Sequence, residues 1–255
     1  MKVVILAGGV GSRLSEETDV RPKPMVEIGH RPILWHIMKH FTQFGHNEFV
    51  LCLGYKGEYI KRYFTESLAL SADMTIDFSA GTVDTHAAVR EDWRVTLVDT
   101  GQHTETAGRI QQIQQYVEGE PFFLTYGDGV ADVDLDALLK FHEAQGQLAT
   151  VTAVHPTARF GQLEIDGDTV VRFDEKPQMH EGWINGGFFV LEPGIFDFIP
   201  GDVDWASEPL EGLARANELN AFRHEGFWQC MDTLRDKIYL QSLWDQGSPP
   251  WKTWS

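Results

Sequence analysis

Val3-Val4-Ile5-Leu6-Ala7-Gly8-Gly9-Val10-Gly11-Ser12-Arg13-Leu14 stands almost at the start of the chain. Five apolar residues running straight into paired glycines are the pattern of a strand buried on both faces and ending in a turn, as in the middle of a parallel sheet. Working outward, Pro32 suits a first helical position, and Ile33, Leu34, Ile37, Met38 and Phe41 form an apolar stripe that stops before Gly45. Strands are expected at 49–53, 74–78, 95–98, 121–125 and 149–154, with helices at 57–64, 109–116 and 134–144 between them. That alternation predicts a mainly parallel sheet with helices on both faces and ligands beyond the carboxyl ends of the strands.

After residue 155 the rhythm shortens to strands at 162–165, 170–174 and 187–191, which suggests an antiparallel extension, and a closing helix is expected from about Asp232 to Trp244. One large α/β domain over 1–255 accounts for the whole chain, with 1–154 as its core and 155–255 as the extension. The 255 residues, 42% of them hydrophobic, suffice for such a core. Gly146-Gln147 and the turn at 247–250 read as loops, not linkers.

Composition excludes several functions. The opening apolar run is too short for a signal peptide, and no stretch approaches the roughly 18 apolar residues of a membrane span, so a cytoplasmic protein is expected. Cys52 and Cys230 offer neither a disulfide framework nor a metal-ligand spacing. A net charge of −17 argues against a nucleic-acid surface. The charge is uneven: Lys2, Arg13, Arg21, Lys23 and Arg31 outnumber Glu16, Glu17, Asp19 and Glu27, so residues 1–31 carry +1 and the remainder −18. A small anion would be received best at the amino-terminal segment.

The glycines there let backbone amides approach phosphates, while Arg13 offers a planar fork and Lys23 a compact charge. A dinucleotide fingerprint read from Gly9 would need glycine where Leu14 stands, and a phosphate-loop reading from Gly8 would need glycine where Arg13 stands. Asp128, between Gly127 and Gly129, is a carboxylate presented at a strand end, available to magnesium or simply a turn former; Asp132, Asp134 and Asp136 look like helix-entry residues. Glu175 and Lys176 could meet sugar hydroxyls and a sugar phosphate or form a solvated turn, and Asn185-Gly186-Gly187 could approach a ligand or turn into a strand. Asp232 before Thr233-Leu234 reads by itself as a helix N-cap. His36 and His40 have the spacing of a zinc pair but flank the apolar stripe and read as structural.

Together, Gly8–Arg13, Lys23-Pro24-Met25, the run from Pro32 to Met38, Gly54-Tyr55-Lys56-Gly57, Val95–Gly101, Thr125–Asp132 and Trp251-Lys252-Thr253-Trp254 resemble the sugar-1-phosphate nucleotidyltransferase superfamily. Within it they resemble the bacterial glucose-1-phosphate cytidylyltransferases. The resemblance covers essentially the whole chain. It implies a mainly parallel, Rossmann-like nucleotidyltransferase sheet flanked by helices, with a smaller antiparallel sugar-side extension. It also implies transfer of CMP from CTP to glucose 1-phosphate in nucleotide-sugar and lipopolysaccharide O-antigen biosynthesis. Nucleotide contacts are implied for Leu6, Ala7, Gly8, Gly9, Val10, Gly11, Ser12, Arg13, Lys23, Thr104, Arg109 and Gly127, with Arg13 and Lys23 catalytic. Asp128 and Asp232 become a Mg2+ pair, and Glu175, Lys176, Asn185 and Gly186 fall on the sugar-phosphate side. A homo-oligomer is implied, with a hexamer as the associated form. A different nucleotide or acceptor, or a non-catalytic sugar-nucleotide-binding regulatory protein, are the rival readings.

Overall fold

The computed structural model describes residues 1–88, 91–117, 119–156, 162–166, 169–174 and 182–254. Its centre is a seven-stranded sheet made of β1 (Lys2–Ala7), β2 (Glu48–Leu53), β3 (Arg94–Asp99), β4 (Phe122–Tyr126), β5 (Ala149–Val154), β6 (Ile184–Leu191) and β7 (Leu219–His224). The strands lie in the order β7-β5-β6-β4-β1-β2-β3. All run parallel except β6, which is antiparallel to both β4 and β5. β1 is thus internal, as its unbroken apolar run predicts, and six of the seven strands present their carboxyl ends to the same edge.

Side chains alternate along β1. Val3, Ile5 and Ala7 join one core cluster, while Val4 and Leu6 join the other. The first core is covered by α1 (Ile33–Gln43), α2 (Gly57–Leu70), α4 (Leu135–Gln145) and α6 (Leu234–Asp245), the second by α3 (Thr106–Gln112) and α5 (Glu208–Arg215). The expected stripe of α1 is fully buried, from Ile33 to Phe41. Asp134 caps α4 by accepting from the Ala137 amide at 2.9 Å, which gives that carboxylate its structural use.

Past residue 155 the outcome is mixed. The strands Gln162–Asp166 and Thr169–Asp174 form a separate antiparallel pair. The strand expected at 187–191, in contrast, belongs to β6 in the main sheet, because Phe188, Phe189, Val190 and Leu191 are buried on both faces. The main sheet therefore continues beyond residue 154. Among the described residues no helix is long and apolar enough to cross a membrane.

Candidate active site

The turn after β1 lies at the carboxyl edge of the sheet, where two neighbouring strands fasten it. The Gly127 amide donates to the Leu6 carbonyl at 3.0 Å from the β4 side, and the Tyr55 amide to the Gly8 carbonyl at 3.1 Å from the β2 side. Gly11 takes φ +67° and opens a short helical turn at Ser12–Leu14. Between these segments runs an open cleft of about 230 Å3. Leu6, Ala7, Gly8, Gly9, Gly11, Lys23, Thr104, Arg109, Gly127 and Asp128 line it. Val10, Ser12 and Arg13 are not part of its lining, and the Arg13 side chain is largely exposed.

Lys23 is the hub of the mouth. Its Nζ donates to Asp128 Oδ2 at 2.6 Å and to Asp232 Oδ1 at 2.5 Å, and Arg13 Nη1 donates to Asp232 Oδ2 at 2.9 Å. Four groups from three segments far apart in sequence thus meet at the mouth. Burial lowers the affinity of Lys23 for its proton, but Asp128 and Asp232 outweigh burial and the net shift is upward, so the ammonium stays charged.

The meeting of the two carboxylates follows from a short antiparallel ribbon that pairs Gly129–Ala131 with Trp228–Cys230. Cys230 stands opposite Gly129, and the Met231 amide continues the ladder to the Asp128 carbonyl at 2.8 Å. The ladder sets Met231 opposite Asp128 and so brings the chain at Asp232 one position away, where both carboxylates reach Lys23 Nζ. The N-cap of α6 is Thr233, not Asp232. Thr233 and Asp236 form a capping box, Asp236 Oδ2 accepting from the Thr233 and Asp232 amides at 2.8 and 3.0 Å. Capping leaves the Asp232 carboxylate directed at Lys23 and Arg13.

Arg109 forms the floor. Only 3% exposed, it donates from Nη1 to the Leu53 carbonyl (3.0 Å), Thr100 Oγ1 (2.8 Å) and the Gly101 carbonyl (2.8 Å), and from Nη2 to the Gly8 carbonyl (3.1 Å). The guanidinium thereby ties the ends of β1, β2 and β3 together. It leaves no space beside Gly8, where a Cβ would stand 2.2 Å from Arg109 Nη1.

On the β6 side, Asn185 Nδ2 donates to the Tyr126 hydroxyl at 3.5 Å, and Trp228 Nε1 donates to the Gly186 carbonyl at 2.7 Å. Tyr126 lines the cleft, and burial pushes its hydroxyl pKa up to about 12. Asn185 is accordingly one residue removed from the cleft wall, while Gly186 is held by Trp228, which is not part of that wall. Glu175 and Lys176 lie outside the described residues.

Sequence reasoning assigned no role to Tyr126, Asp202 or Asp204. Asp202 Oδ1 accepts from the Glu105 amide at 2.8 Å and Asp204 Oδ1 from the Thr106 hydroxyl at 2.7 Å, which holds the 104–106 wall of the cleft. Their contacts span nearly 100 positions, and nothing local distinguishes them from ordinary loop aspartates. Tyr126, next to Gly127, was within reach of a motif reading.

Chemically, the arrangement offers a glycine-lined anion cradle, two cations and a pair of hard anionic oxygens. The Nucleotidyl transferase family model matches residues 2–227. Over the full length of both chains, the protein is 53% identical to the glucose-1-phosphate cytidylyltransferase of Salmonella typhi and 45% identical to the probable glucose-1-phosphate cytidylyltransferase of Bacillus subtilis. Its fold matches the crystal structure of HddC from Yersinia pseudotuberculosis with a TM-score of 0.69 at 24% identity, covering 95% of this chain and 99% of that one. Motif, cleft and full-length similarity agree: the chain belongs to the nucleotidyl transferase family, and within it to the glucose-1-phosphate cytidylyltransferases.

Proposed function

We propose that the protein transfers the cytidylyl group of CTP to alpha-D-glucose 1-phosphate, giving CDP-glucose and pyrophosphate. Full-length similarity to enzymes of that name supports the substrates. The observation that carries the chemistry is the convergence of Lys23, Asp128, Asp232 and Arg13 at the mouth of a glycine-lined cleft. In this reading Leu6, Ala7, Gly8, Gly9, Val10, Gly11 and Ser12, with Thr104, Arg109 and Gly127, form the nucleotide site. Backbone amides of the glycine turn cradle phosphates, and Arg109 keeps the floor in shape.

A phosphate oxygen of the sugar phosphate attacks the α-phosphorus of CTP; a new P–O bond forms as the bond to the β-phosphate oxygen breaks and pyrophosphate departs. No protein nucleophile is required, because the acceptor is itself an anion. The chain has to align two anions that repel and to stabilise charge gathering on the α-phosphoryl oxygens. Lys23 and Arg13 supply that positive charge. Glu175, Lys176, Asn185 and Gly186 make the sugar-phosphate side of the site.

Asp128 and Asp232 fit a magnesium ion. They supply two hard oxygens that already converge on a single cation, Lys23 Nζ. A magnesium ion held by two carboxylates is completed by phosphate oxygens and water. When bound, Mg2+ would neutralise triphosphate charge beside the carboxylates.

This reading treats 1–255 as one working domain, with nucleotide bound by 1–154 and sugar phosphate by 155–255. It also makes the protein a cytoplasmic homo-oligomer of nucleotide-sugar and O-antigen biosynthesis, with a hexamer as the form to test. Pyrophosphate release measured for four nucleoside triphosphates against several sugar phosphates tests the assignment. CTP with glucose 1-phosphate is expected to give the highest kcat/KM. Equal values for UTP and CTP would remove the cytidylyl label, and no turnover with any pair would leave a sugar-nucleotide-binding regulator.

A further inference from the structure

Lys56 adopts φ +50° and ψ +36°, a left-handed conformation that costs a residue bearing a Cβ and costs glycine nothing. It sits between Gly54 and Gly57, in a turn where glycine is otherwise used freely. The side chain shows what the strained conformation achieves. Lys56 Nζ donates to the Thr18 carbonyl at 3.3 Å and also to the Asp19 carbonyl, and the adjacent Tyr55 hydroxyl donates to the Thr18 carbonyl at 3.1 Å. These carbonyls end the short helix Ser15–Thr18, midway between Arg13 and Lys23. The same turn reaches the start of the loop, because the Tyr55 amide donates to the Gly8 carbonyl at 3.1 Å.

Within the loop, buried Thr18 completes the connection by donating from its hydroxyl to the Gly11 and Leu14 carbonyls at 3.1 and 3.0 Å. One turn on β2 therefore fastens both the glycine cradle and the segment that spaces the two cations. A strained residue whose side chain holds the loop in this way is grounds for a functional hypothesis.

We propose that Tyr55 and Lys56 are positioning residues for the 8–23 loop: they hold its amides, Arg13 and Lys23 in one binding geometry and touch no substrate themselves. The proposal rests on the reading of that loop as the triphosphate site. Removing the Lys56 side chain then loosens the loop without weakening the fold, and glycine at this position even relieves the strain.

Lys56→Gly, Lys56→Arg and Tyr55→Phe, each in the full chain, test the proposal by melting temperature, hydrogen exchange and steady-state kinetics. Lys56→Gly is expected to melt at or above the wild-type temperature and to exchange amides of residues 14–20 faster, with core-strand amides unchanged. Its kcat/KM for CTP should fall about tenfold or more, chiefly through KM, as expected for misplaced binding groups. Lys56→Arg, which keeps a charged donor, should recover most of that loss, and Tyr55→Phe should show a smaller shift in the same direction. Wild-type loop exchange and CTP KM in Lys56→Gly would overturn the proposal, as would a collapse of its melting temperature. Failure of the wild-type protein to use CTP would instead sink the substrate reading, while the exchange measurements would still decide whether the turn holds the loop.

Discussion

Asp128 and Asp232 each look ordinary in sequence, one in a glycine turn and one before a helix; the resemblance pairs them, and in the structure both carboxylates meet Lys23 Nζ. If they are ligands of one magnesium ion, Asp→Asn at either position removes a negative ligand with almost no change of shape. Thr233 and Asp236 cap α6 without the Asp232 carboxylate, so Asp232→Asn leaves the cap intact. Melting temperatures should therefore stay near wild type. Turnover should fall by roughly two or more orders of magnitude in each single variant, and the double variant should be little worse, because groups that act as a unit lose function together. Turnover measured across a magnesium titration checks this. A fully active Asp232→Asn enzyme with unchanged magnesium dependence would dissolve the pair.

Elements explain why the site exists at this edge of the sheet and why some of it was readable in advance. β1, β4 and the stripe of α1 were legible because apolar runs and a 3.6-residue period record burial directly. The paired strands Gly129–Ala131 and Trp228–Cys230 were not, since three-residue strands carry too little pattern, yet their pairing is what brings the segments of Asp128 and Asp232 together. β7 escaped for a related reason: Leu219-Asn220-Ala221-Phe222-Arg223-His224 mixes polar and apolar residues at the sheet's edge. Asp232 came to light only through resemblance, and the clamp role of Arg109 through neither pattern nor resemblance, because its four acceptors come from three separate segments. That clamp yields a prediction. Gly8→Ala would set a Cβ 2.2 Å from Arg109 Nη1 and 2.4 Å from Cζ, so the buried guanidinium must move and its hydrogen bonds to β2 and β3 must loosen. A loss of about 1–3 kcal/mol in unfolding free energy is expected, the cost of disturbing a buried polar network. The KM for the nucleotide should rise as well. Denaturant melts that leave Gly8→Ala as stable as wild type would show that Arg109 can relocate freely.

At the scale of the whole molecule, acid should unfold this protein through its buried histidines. His36 lies under the carboxyl-terminal tail, where its Nε2 meets the Ile28 carbonyl at 2.9 Å and Trp251 Nε1 donates to its Nδ1 at 3.4 Å. Those partners assign the proton to Nε2 and leave Nδ1 as an acceptor, so a second proton would face an N–H donor. Burial pushes the pKa of His36, His40 and His46 down to about 4 in each case, against an ordinary 6.5. Between those values the unfolded chain binds protons that the folded chain refuses, so stability rises with pH there. Their full contribution is present above about pH 6.5 and is lost as the pH falls towards 4. A shift of this size corresponds to up to about 3 kcal/mol for one histidine, a large share of an ordinary domain's stability. The melting temperature is therefore expected to be level between pH 7 and 8 and to fall steeply below pH 6. His46 isolates one contribution: its Nε2 is buried without a hydrogen-bond partner, and its ring packs 4.8 Å from that of Phe123. His46→Phe keeps the ring contact and removes the titration, so it should leave the melting temperature at pH 7.5 nearly unchanged and make the acid limb shallower. Identical limbs for His46→Phe and wild type would move the acid sensitivity to His36 and His40, which are fastened to the tail through Trp251 Nε1 and Thr253 Oγ1.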